Sequence, residues 1–329
     1  MALYDNHNRP LTYLRLSVTD RCNLRCFYCM PPEGLNWLPK SYLLTFEEII
    51  RLVRLLASLG ISKVRITGGE PFVRADLMKL LYRLSEIPGV NELHLTTNGV
   101  LTAPYVPELK KLGIASVNLS LDTLDAGRFK AIAHRDELKR VLNTLDSLLQ
   151  HGIPVKINTV VMEGKNTEDI YPMAGLTRNY PVSVRFIEEM PFNGRGSHYA
   201  MLTWNYKKIR EHLQAAWPDM KPLPTGPGAT ATVFEIPGHK GSVGIIAAFS
   251  RTFCGTCNRI RVTAQGMLKT CLYDNGVLSL RDLMRSGYSD EQLVSVLLSA
   301  FSQRPRNGFD AEANRNTAPV RESMAMIGG

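Results

Sequence analysis

Three cysteines near the start of the chain have a spacing that can bind a metal centre. Cys22, Cys26 and Cys29 follow the pattern CxxxCxxC within the segment DRCNLRCFYC, and no fourth cysteine lies nearby. Iron–sulfur clusters and closed zinc sites usually take four protein ligands. Three thiolates in one short loop therefore indicate a 4Fe–4S cluster with one open iron, at which chemistry can occur. A structural zinc loop and chance clustering are the alternatives.

A second group of three cysteines lies towards the C-terminus. Cys254 and Cys257 form CxxC, and Cys271 follows Cys257 after 13 intervening residues. A zinc ribbon would need two CxxC pairs, so the pattern favours a second 4Fe–4S cluster with its own open iron. His239, 15 residues before Cys254, could instead complete a four-ligand zinc site.

The composition is typical of a globular protein with room for a large domain and a smaller one. The chain has 329 residues, of which 44% are hydrophobic and 21% are charged. No apolar run has the length of a signal peptide or a membrane span, so a cytoplasmic location without a membrane partner is expected. The 6 cysteines fall into two groups of three, which is not the pattern of a secreted disulfide framework.

The chain carries a formal net charge of +9, but its basic residues are spread along the sequence. A nucleic-acid partner would need them in a run or a stripe, so none is expected. Several basic residues instead lie near predicted strand ends, where they suit a small polyanion such as a nucleoside triphosphate: Arg15, Lys63, Arg65, Lys156 and Arg185. The sequence has no GxxxxGK[ST] motif, which excludes a P-loop.

Six predicted strands alternate with helices in the first 188 residues. The strands are expected at residues 13–18, 63–67, 92–97, 116–122, 155–161 and 182–188. The helices are expected from a capping box at Thr45 and Glu48 to Gly60, and at residues 76–86, 105–112, 136–150 and 167–179. This alternation predicts an α/β fold with parallel strands. Six units predict an open, partial (βα)₆ TIM-like barrel, because a closed barrel needs eight.

The chemically distinctive segments follow successive strands of this barrel. The first cysteine group follows the first strand, GGEP at residues 68–71 follows the second, and TTNG at residues 96–99 follows the third. Active sites of parallel α/β folds lie at the carboxyl ends of the strands. These segments are therefore expected to meet at one end of the barrel.

The alternation of strands and helices stops after Met190. A helix is expected at residues 203–215, and a linker rich in proline and glycine follows at 222–228. Short strands are expected at residues 232–236 and 243–249.

This change of pattern divides the chain into two predicted domains. Residues 1–225 form the barrel domain, and residues 226–329 form a second domain that carries the second cysteine group. Residues 1–12 are expected to be a mobile lead-in. Residues 33–44 and 193–202 carry no recognisable pattern.

The chain resembles the radical S-adenosylmethionine (SAM) superfamily in two motifs. CxxxCxxC with the aromatic Tyr28 before its last cysteine is the first, and GGEP one strand–helix unit later is the second. The resemblance implies that the open iron binds SAM and supplies the electron that cleaves it to methionine and a 5′-deoxyadenosyl radical. It assigns SAM contacts to Tyr28, Gly69, Ser120 and Met190.

Within that superfamily the sequence is similar to the GTP 3′,8-cyclases of molybdenum-cofactor biosynthesis. The segments SVTDRCNLRCFYCMP, VRITGGEP, LTTNG, NLSLD, VKINTVV, RFIEEMP and CNRIRVT occur in that order, and the match resumes at Gly328 and Gly329. The resemblance implies a lyase that converts GTP into 3′,8-cyclo-7,8-dihydro-GTP, the first step of molybdopterin biosynthesis. The radical would remove the 3′ hydrogen of the ribose, and C3′ would then attack C8 of guanine. A C-terminal domain would hold an auxiliary iron–sulfur cluster that binds the guanine ring.

The same resemblance implies which residues contact the substrate. It assigns GTP contacts to these positions: Arg15, Arg65, Thr96, Lys156, Arg259, Ile260 and Arg261. It names no catalytic residue beyond the clusters and SAM, but Arg15, Arg259 and Arg261 are expected to be essential in the active site. Arg259 and Arg261 alternate along a predicted strand and therefore share one face. Lys63 and Arg185 are second-tier candidates for phosphate contact.

The resemblance further implies partners and a role for the C-terminal tail. The expected partners are a pyranopterin monophosphate synthase as the downstream enzyme, a reductant protein of unidentified kind, and a second copy of the chain in a homodimer. The tail that ends in Gly328 and Gly329 is expected to thread into the barrel mouth and to help position Arg15.

Two other functions stay open from the sequence. A radical SAM peptide-modifying enzyme with an auxiliary cluster would usually carry more C-terminal cysteines than the three found here. A zinc or iron–sulfur nucleic-acid-binding protein without enzymatic activity should lack GGEP and show a basic stripe.

Overall fold

The structure of the chain is a computed structural model that describes residues 3–31, 33–193, 202–315 and 322–328. Its strands are β1 (Tyr13–Ser17), β2 (Lys63–Thr67), β3 (Glu92–Thr97), β4 (Ser116–Ser120), β5 (Val155–Val161), β6 (Ser183–Glu188), β7 (Lys221–Leu223), β8 (Ala231–Glu235), β9 (Ser242–Ile246), β10 (Arg259–Val262), β11 (Met267–Lys269) and β12 (Leu278–Ser279). Its helices are α1 (Phe46–Ser58), α2 (Leu77–Ser85), α3 (Val106–Leu112), α4 (Ala126–Ala133), α5 (Leu138–Gln150), α6 (Ile170–Asn179), α7 (Tyr206–Ala216), α8 (Leu280–Arg285), α9 (Asp290–Phe301), α10 (Gly308–Ala313) and α11 (Met324–Ile327).

The predicted alternation of β1 to β6 with helices is confirmed, and β2, β3 and β5 have the predicted bounds. The capping box that begins α1 is also present, with Thr45 and Glu48 each binding the other's backbone N–H. Helix α4 was not predicted from the sequence. It is short, and its N-terminus depends on the Asp125 side chain accepting a hydrogen bond from the Arg128 N–H.

The chain forms two compact units, each assembled from separate stretches of sequence. The first unit comprises residues 1–23, 36–96 and 254–329. Its strands have the order β12-β11-β10-β1-β2-β3, in which β10, β1, β2 and β3 are parallel and β11 and β12 are antiparallel to their neighbours. The C-terminal strand β10 therefore lies directly beside β1, a neighbour that the order of the chain did not predict.

The second unit comprises residues 24–35 and 97–253. Its strands have the order β4-β5-β6-β9-β8-β7, and the first four are parallel. The predicted division at residue 225 separates two continuous stretches of sequence, whereas each of these units combines separate stretches. That division stays a prediction. No helix in the described ranges is long and apolar enough to cross a lipid bilayer.

The first unit's sheet has one apolar face and one polar face. Side chains alternate across a strand, so every second residue belongs to the same face. The apolar set is fully buried and forms core: Leu14, Leu16, Val64, Ile66, Leu95, Ile260 and Val262. The intervening positions on β1, β2 and β10 are mostly arginines, which leaves the opposite face strongly cationic.

The N-terminal segment is ordered, so the prediction of a mobile lead-in is wrong for residues 3–12. Leu3, Asp5, Arg9 and Leu11 are buried, and the Leu11 N–H donates to the Leu3 carbonyl over 2.8 Å. The Asp5 carboxylate accepts hydrogen bonds from two backbone N–H groups of the same turn. The sequence suggested a mobile segment because it is polar. Its charged side chains are nevertheless buried, because they pair with one another and with Arg304 rather than with water.

The substitution Leu11→Ala measures how firmly this segment is packed. Leu11 is 0% exposed, and removing a buried leucine side chain should lower the free energy of unfolding by about 2–5 kcal/mol. Tyr4→Ala in the same turn is the control, because Tyr4 is 56% exposed and should change that free energy by less than about 0.5 kcal/mol. The measurement is the free energy of unfolding from denaturant titrations. Equal, small changes in both variants would support the original prediction of a mobile lead-in.

Candidate functional site

The polar face of the first unit carries two rows of side chains. Parallel pairing aligns Arg15 with Arg261 on β10 and with Arg65 on β2. Two residues earlier on the same face, Tyr13 is aligned with Arg259 and Lys63. The pairing thus brings together five of the arginines and lysines that were predicted to contact a triphosphate, although they are up to 246 residues apart in the sequence.

Burial and mutual repulsion make the charged forms of Arg15 and Arg261 less favourable than in water. Burial, reinforced by Arg65 and Arg259 and opposed by Tyr13, lowers the pKa of Arg15 to about 10. Burial and the charges of Arg15 and Arg259 lower the pKa of Arg261 to about 9. Among the described residues, the Arg15 Nε is a buried donor without a hydrogen-bond acceptor. A bound anion would relieve both conditions.

Two groups hold Arg65 in a fixed orientation. Its Nε donates to the Tyr13 hydroxyl over 2.5 Å and its Nη1 donates to the Leu95 carbonyl over 2.6 Å. Burial alone would raise the pKa of Tyr13, but the charges of Arg65 and Arg15 outweigh it and lower that pKa to about 7. Lys63, a second-tier candidate, already has a counter-ion because its Nζ lies 2.8 Å from a Glu92 oxygen.

The alternation of β10 divides the predicted GTP contacts between two faces. Arg259 and Arg261 are partly exposed, whereas Ile260 is 0% exposed and belongs to the apolar core. A ligand on the polar face could reach Ile260 only at its backbone. Thr96 lies on β3, and its hydroxyl oxygen is buried without a hydrogen-bond partner among the described residues.

The second cysteine group lies immediately before and after β10 and β11, in the same unit as the arginines. Cys254 and Cys257 form a tight turn in which the Cys257 N–H donates to the Cys254 carbonyl over 3.2 Å. The Cys271 N–H donates to the Asp274 carboxylate over 2.8 Å, which fixes the third loop. All three thiols are partly exposed and can reach a ligand.

The charges around these thiols favour the thiolate at Cys257 but not at Cys271. Burial would raise the pKa of Cys257, but the charges of Arg259 and Arg304 outweigh it and lower that pKa to about 6. Burial and Asp274 instead raise the pKa of Cys271 to about 11. Thiolates are the iron ligands in such clusters, and adjacent cations favour the thiolate.

The geometry gives no support to the single-ion zinc alternative. In the parts of the chain that the structure describes, no three His, Cys, Asp or Glu side chains are close enough to share one ion. A cluster does not need that arrangement, because each thiolate binds a different iron atom. His239 is instead within 2.7 Å of the Thr177 hydroxyl through its Nδ1.

The first cysteine group is divided between the two units. Cys22 belongs to the first unit, and Cys26 and Cys29 belong to the second. Within the second unit the Cys29 N–H donates to the Cys26 carbonyl over 2.9 Å, which closes a turn. The Tyr28 hydroxyl donates to the Asp122 carboxylate, and burial raises the pKa of Asp122 to about 6.

The GGEP segment packs directly on the backbone that leads into Cys22. The Gly69 N–H donates to the Thr19 carbonyl and the Glu70 N–H donates to the Arg21 carbonyl, both over 2.8 Å. A Cβ on Gly69 would lie 2.4 Å from the Arg21 carbonyl oxygen. The second glycine of GGEP is therefore required by this close approach, besides any contact with SAM.

The second unit also has a polar face, which carries the other predicted contacts. Pairing aligns Ser120 with Asn158 and Asn158 with Arg185, and it aligns Lys156 with Asn118. The side-chain oxygens of Asn118 and Asn158 are buried and have no hydrogen-bond partner among the described residues. These oxygens can accept hydrogen bonds from a polar ligand. Met190 is partly exposed and lies two residues beyond β6.

The C-terminal tail ends beside the arginines of the first unit. The Gly328 carbonyl accepts a hydrogen bond from the Arg261 Nη1 over 2.9 Å. Gly328 has φ +77°, and a Cβ there would lie 2.7 Å from the Thr67 hydroxyl oxygen. Gly329, the last residue of the predicted tail, lies outside the described residues.

Comparison with known proteins identifies the family. A model of the radical SAM superfamily matches residues 16–176, and the Molybdenum Cofactor Synthesis C model matches residues 182–309. A GTP 3′,8-cyclase of Pelotomaculum thermopropionicum is 40% identical over 333 residues, which cover 99% of this chain and 100% of that protein. The chain belongs to the GTP 3′,8-cyclase family. Its members are radical SAM enzymes, and the superfamily implies a 4Fe–4S cluster and bound SAM.

Other relatives are longer than this chain. Molybdenum cofactor biosynthesis protein 1 of Bos taurus is 42% identical over 305 residues, which cover 92% of this chain and 48% of that protein. The chain therefore spans about half the length of several curated relatives that it matches. The solved structure of Streptococcus suis SuiB bound to S-adenosylmethionine has a TM-score of 0.60 over 88% of this chain and 69% of that chain, at 16% identity. That likeness confirms the predicted α/β radical SAM fold.

Some residues of the site had no signal in the sequence. Tyr13 orients Arg65, Asp274 orients Cys271, and Arg304 contacts the loops of the second cysteine group. Each is a lone polar residue outside any motif, so only the fold shows what it contacts.

Gly69→Ala tests the close approach of GGEP to the cysteine loop. All three clashing atoms of the loop belong to backbone, so the variant should lower the free energy of unfolding by about 1–3 kcal/mol and reduce the iron held by the first cysteine group. Gly175→Ala in α6 is the control, because a Cβ there meets nothing within 4 Å. That change should leave iron content unaltered and stabilise the helix by up to about 1 kcal/mol. Full iron and stability in the Gly69 variant would contradict the requirement.

Proposed function

We propose that the chain converts GTP into 3′,8-cyclo-7,8-dihydro-GTP, as the first reaction of molybdopterin biosynthesis. The observation that carries this proposal is the placement of Arg15, Arg65, Arg259 and Arg261 on one polar face, directly next to the second cysteine group. A triphosphate needs several fixed cations, and a purine needs a separate recognition element close to them. In the first unit, the arginines would supply the cations and the second cysteine group would hold the recognition element.

The cysteines are proposed to hold two 4Fe–4S clusters. Cys22, Cys26 and Cys29 would ligate the first, and the second would be bound by Cys254, Cys257 and Cys271. When bound, the first cluster with SAM supplies the radical that removes the 3′ hydrogen, and the second cluster supplies an open iron for guanine. The chain's own contribution would be to hold the nucleotide through its arginines.

The arginines are proposed to position the nucleotide through its phosphates. Arg65 is fixed by the Tyr13 hydroxyl and the Leu95 carbonyl, so its remaining N–H groups point in a defined direction. Arg15 lies between Arg65 and Arg261 and can bridge neighbouring phosphates. Thr96 would add a hydroxyl donor, and Ile260 would contribute only its backbone.

The second unit is proposed to contribute contacts to SAM and to GTP on its polar face. Tyr28, Ser120 and Met190, with Gly69 from the GGEP segment, are the proposed SAM contacts. Lys156 is the proposed GTP contact, with Arg185 as a second-tier candidate. The buried Asn118 and Asn158 oxygens support a polar ligand on this face.

The proposed partners and location follow the same assignment. They are a pyranopterin monophosphate synthase that uses the product, a reductant protein of unidentified kind, and a second copy of the chain. A cytoplasmic location fits thiols that must stay reduced to bind metal.

Cysteine variants of the anaerobically reconstituted chain test the proposed function. With GTP, SAM and reductant, the unaltered chain should form 5′-deoxyadenosine and the cyclised nucleotide. The triple variant Cys22/Cys26/Cys29→Ala should keep about half the iron and lose SAM cleavage, because each site holds one 4Fe–4S cluster. Cys254/Cys257/Cys271→Ala should also keep about half, and it should cleave SAM without cyclising GTP.

Iron, sulfide and zinc analyses of the same samples show which site has failed. An intact chain that binds about four irons or fewer, with zinc making up the remainder, would contradict the two-cluster proposal. If the chain binds two clusters and cleaves SAM but leaves GTP unchanged, the two-cluster proposal is kept and GTP is rejected as the substrate.

The tail is tested by removing its last two residues. Because the Gly328 carbonyl binds Arg261, deletion of Gly328 and Gly329 should abolish cyclisation while both clusters and GTP binding persist. Gly328→Ala should have the same effect, since its positive φ and the nearby Thr67 leave no room for a side chain. Unchanged turnover in both variants would show that the tail has no part in the reaction.

A further inference from the structure

A buried network of charges joins the N-terminal turn to the second cysteine group. Asp5 accepts from the Arg9 Nε over 2.7 Å and from the Arg304 Nη1 over 2.8 Å. The Asp5 side chain is 0% exposed and that of Arg304 is 2% exposed. We call Asp5, Arg9 and Arg304 the arginine clamp. One carboxylate shared by two guanidinium groups leaves the clamp with a net positive charge.

The arginine clamp contacts all three cysteine-bearing segments. The Arg304 Nη2 donates to the Arg259 and Thr270 carbonyls over 3.0 Å each, and Thr270 immediately precedes Cys271. The Arg304 Nη1 also donates to the Cys257 carbonyl over 3.4 Å. The Arg9 Nη1 donates to the Cys254 carbonyl over 3.2 Å.

One contact of Arg304 is with a sulfur atom rather than with backbone. Its Nη2 lies 3.8 Å from the Cys257 Sγ. Hydrogen bonds to the sulfurs and the net charge near a cluster are among the factors that set its reduction potential. A positive charge stabilises the reduced cluster, which carries one more electron.

We propose that Arg304 is a positioning residue for the second cluster, which holds the cysteine loops in place and raises the reduction potential of the cluster. This inference rests on the proposed second cluster. Asp5 and the N-terminal turn hold Arg304 in turn, because the Asn6 and His7 side chains also lie within 3.2 Å and 3.0 Å of the Arg304 carbonyl.

The test uses the full chain with Cys22/Cys26/Cys29→Ala as the parent, so that the second cluster alone is observed. After anaerobic reconstitution, iron analysis should give about four irons per chain, and a redox titration followed by electron paramagnetic resonance gives the potential. Arg304→Gln removes the charge and should shift the potential to a more negative value. Arg304→Lys keeps the charge but loses the planar guanidinium that donates to several carbonyls at once. The potential of the cluster in this variant should therefore lie between those of the parent and Arg304→Gln.

A matched control separates this role from a structural one. Arg74 lies in the same unit and donates to the Val18 and Leu44 carbonyls over 2.6 Å each, and its described partners include no cysteine. Arg74→Gln should therefore lower stability without moving the potential.

The outcomes are distinguishable. A parent without iron would reject the second cluster itself. If the parent and Arg304→Gln both hold the cluster at equal potentials, the inference is wrong. Should Arg304→Gln lose its iron while Arg74→Gln keeps it, the positioning role is supported, because Arg304 contacts the cysteine loops and Arg74 does not. Loss of iron from both variants overturns the inference.

Discussion

One sheet face carries four arginines: Arg15, Arg65, Arg259 and Arg261. The mutual repulsion of their positive charges is the constraint on which the site depends. Neighbouring strands are about 4.8 Å apart. Like charges at that separation repel by roughly 3–4 kcal/mol at an effective dielectric constant of about 20. On the same sheet, the Glu92 carboxylate is already bound by Lys63 and His94. The proposed polyanionic ligand would make this arrangement favourable.

The same sheet explains why the second cysteine group and the cations lie together. Strand β10 begins two residues after Cys257 and pairs in parallel with β1, so the ligand loop and the arginine row are fixed by one set of backbone hydrogen bonds. The tail reaches the same place through the contact between Gly328 and Arg261. Loss of this pairing would disturb the proposed cluster ligands, the proposed GTP contacts and the tail at once.

The sequence was informative where chemistry requires a fixed spacing. The two cysteine patterns, the GGEP segment and the alternation of β1 to β6 could be predicted because each is local. The pairing of β10 with β1 could not be predicted. Strand β10 has only four residues, and the aligned residues Arg15 and Arg261 are 246 positions apart in the sequence. The N-terminal turn was misjudged for a similar reason. The burial of Asp5 depends on Arg304, 299 residues later, and no local pattern indicates that contact.

The claim that the arginine face binds a triphosphate is tested most directly by a series of guanine nucleotides. Equilibrium binding of GTP, GDP, GMP and guanosine would be measured on the anaerobically reconstituted chain, at two salt concentrations. Affinity should fall at each loss of a phosphate, and GTP binding should weaken most as salt is raised. Equal affinities for GTP and guanosine, with no dependence on salt, would contradict this claim.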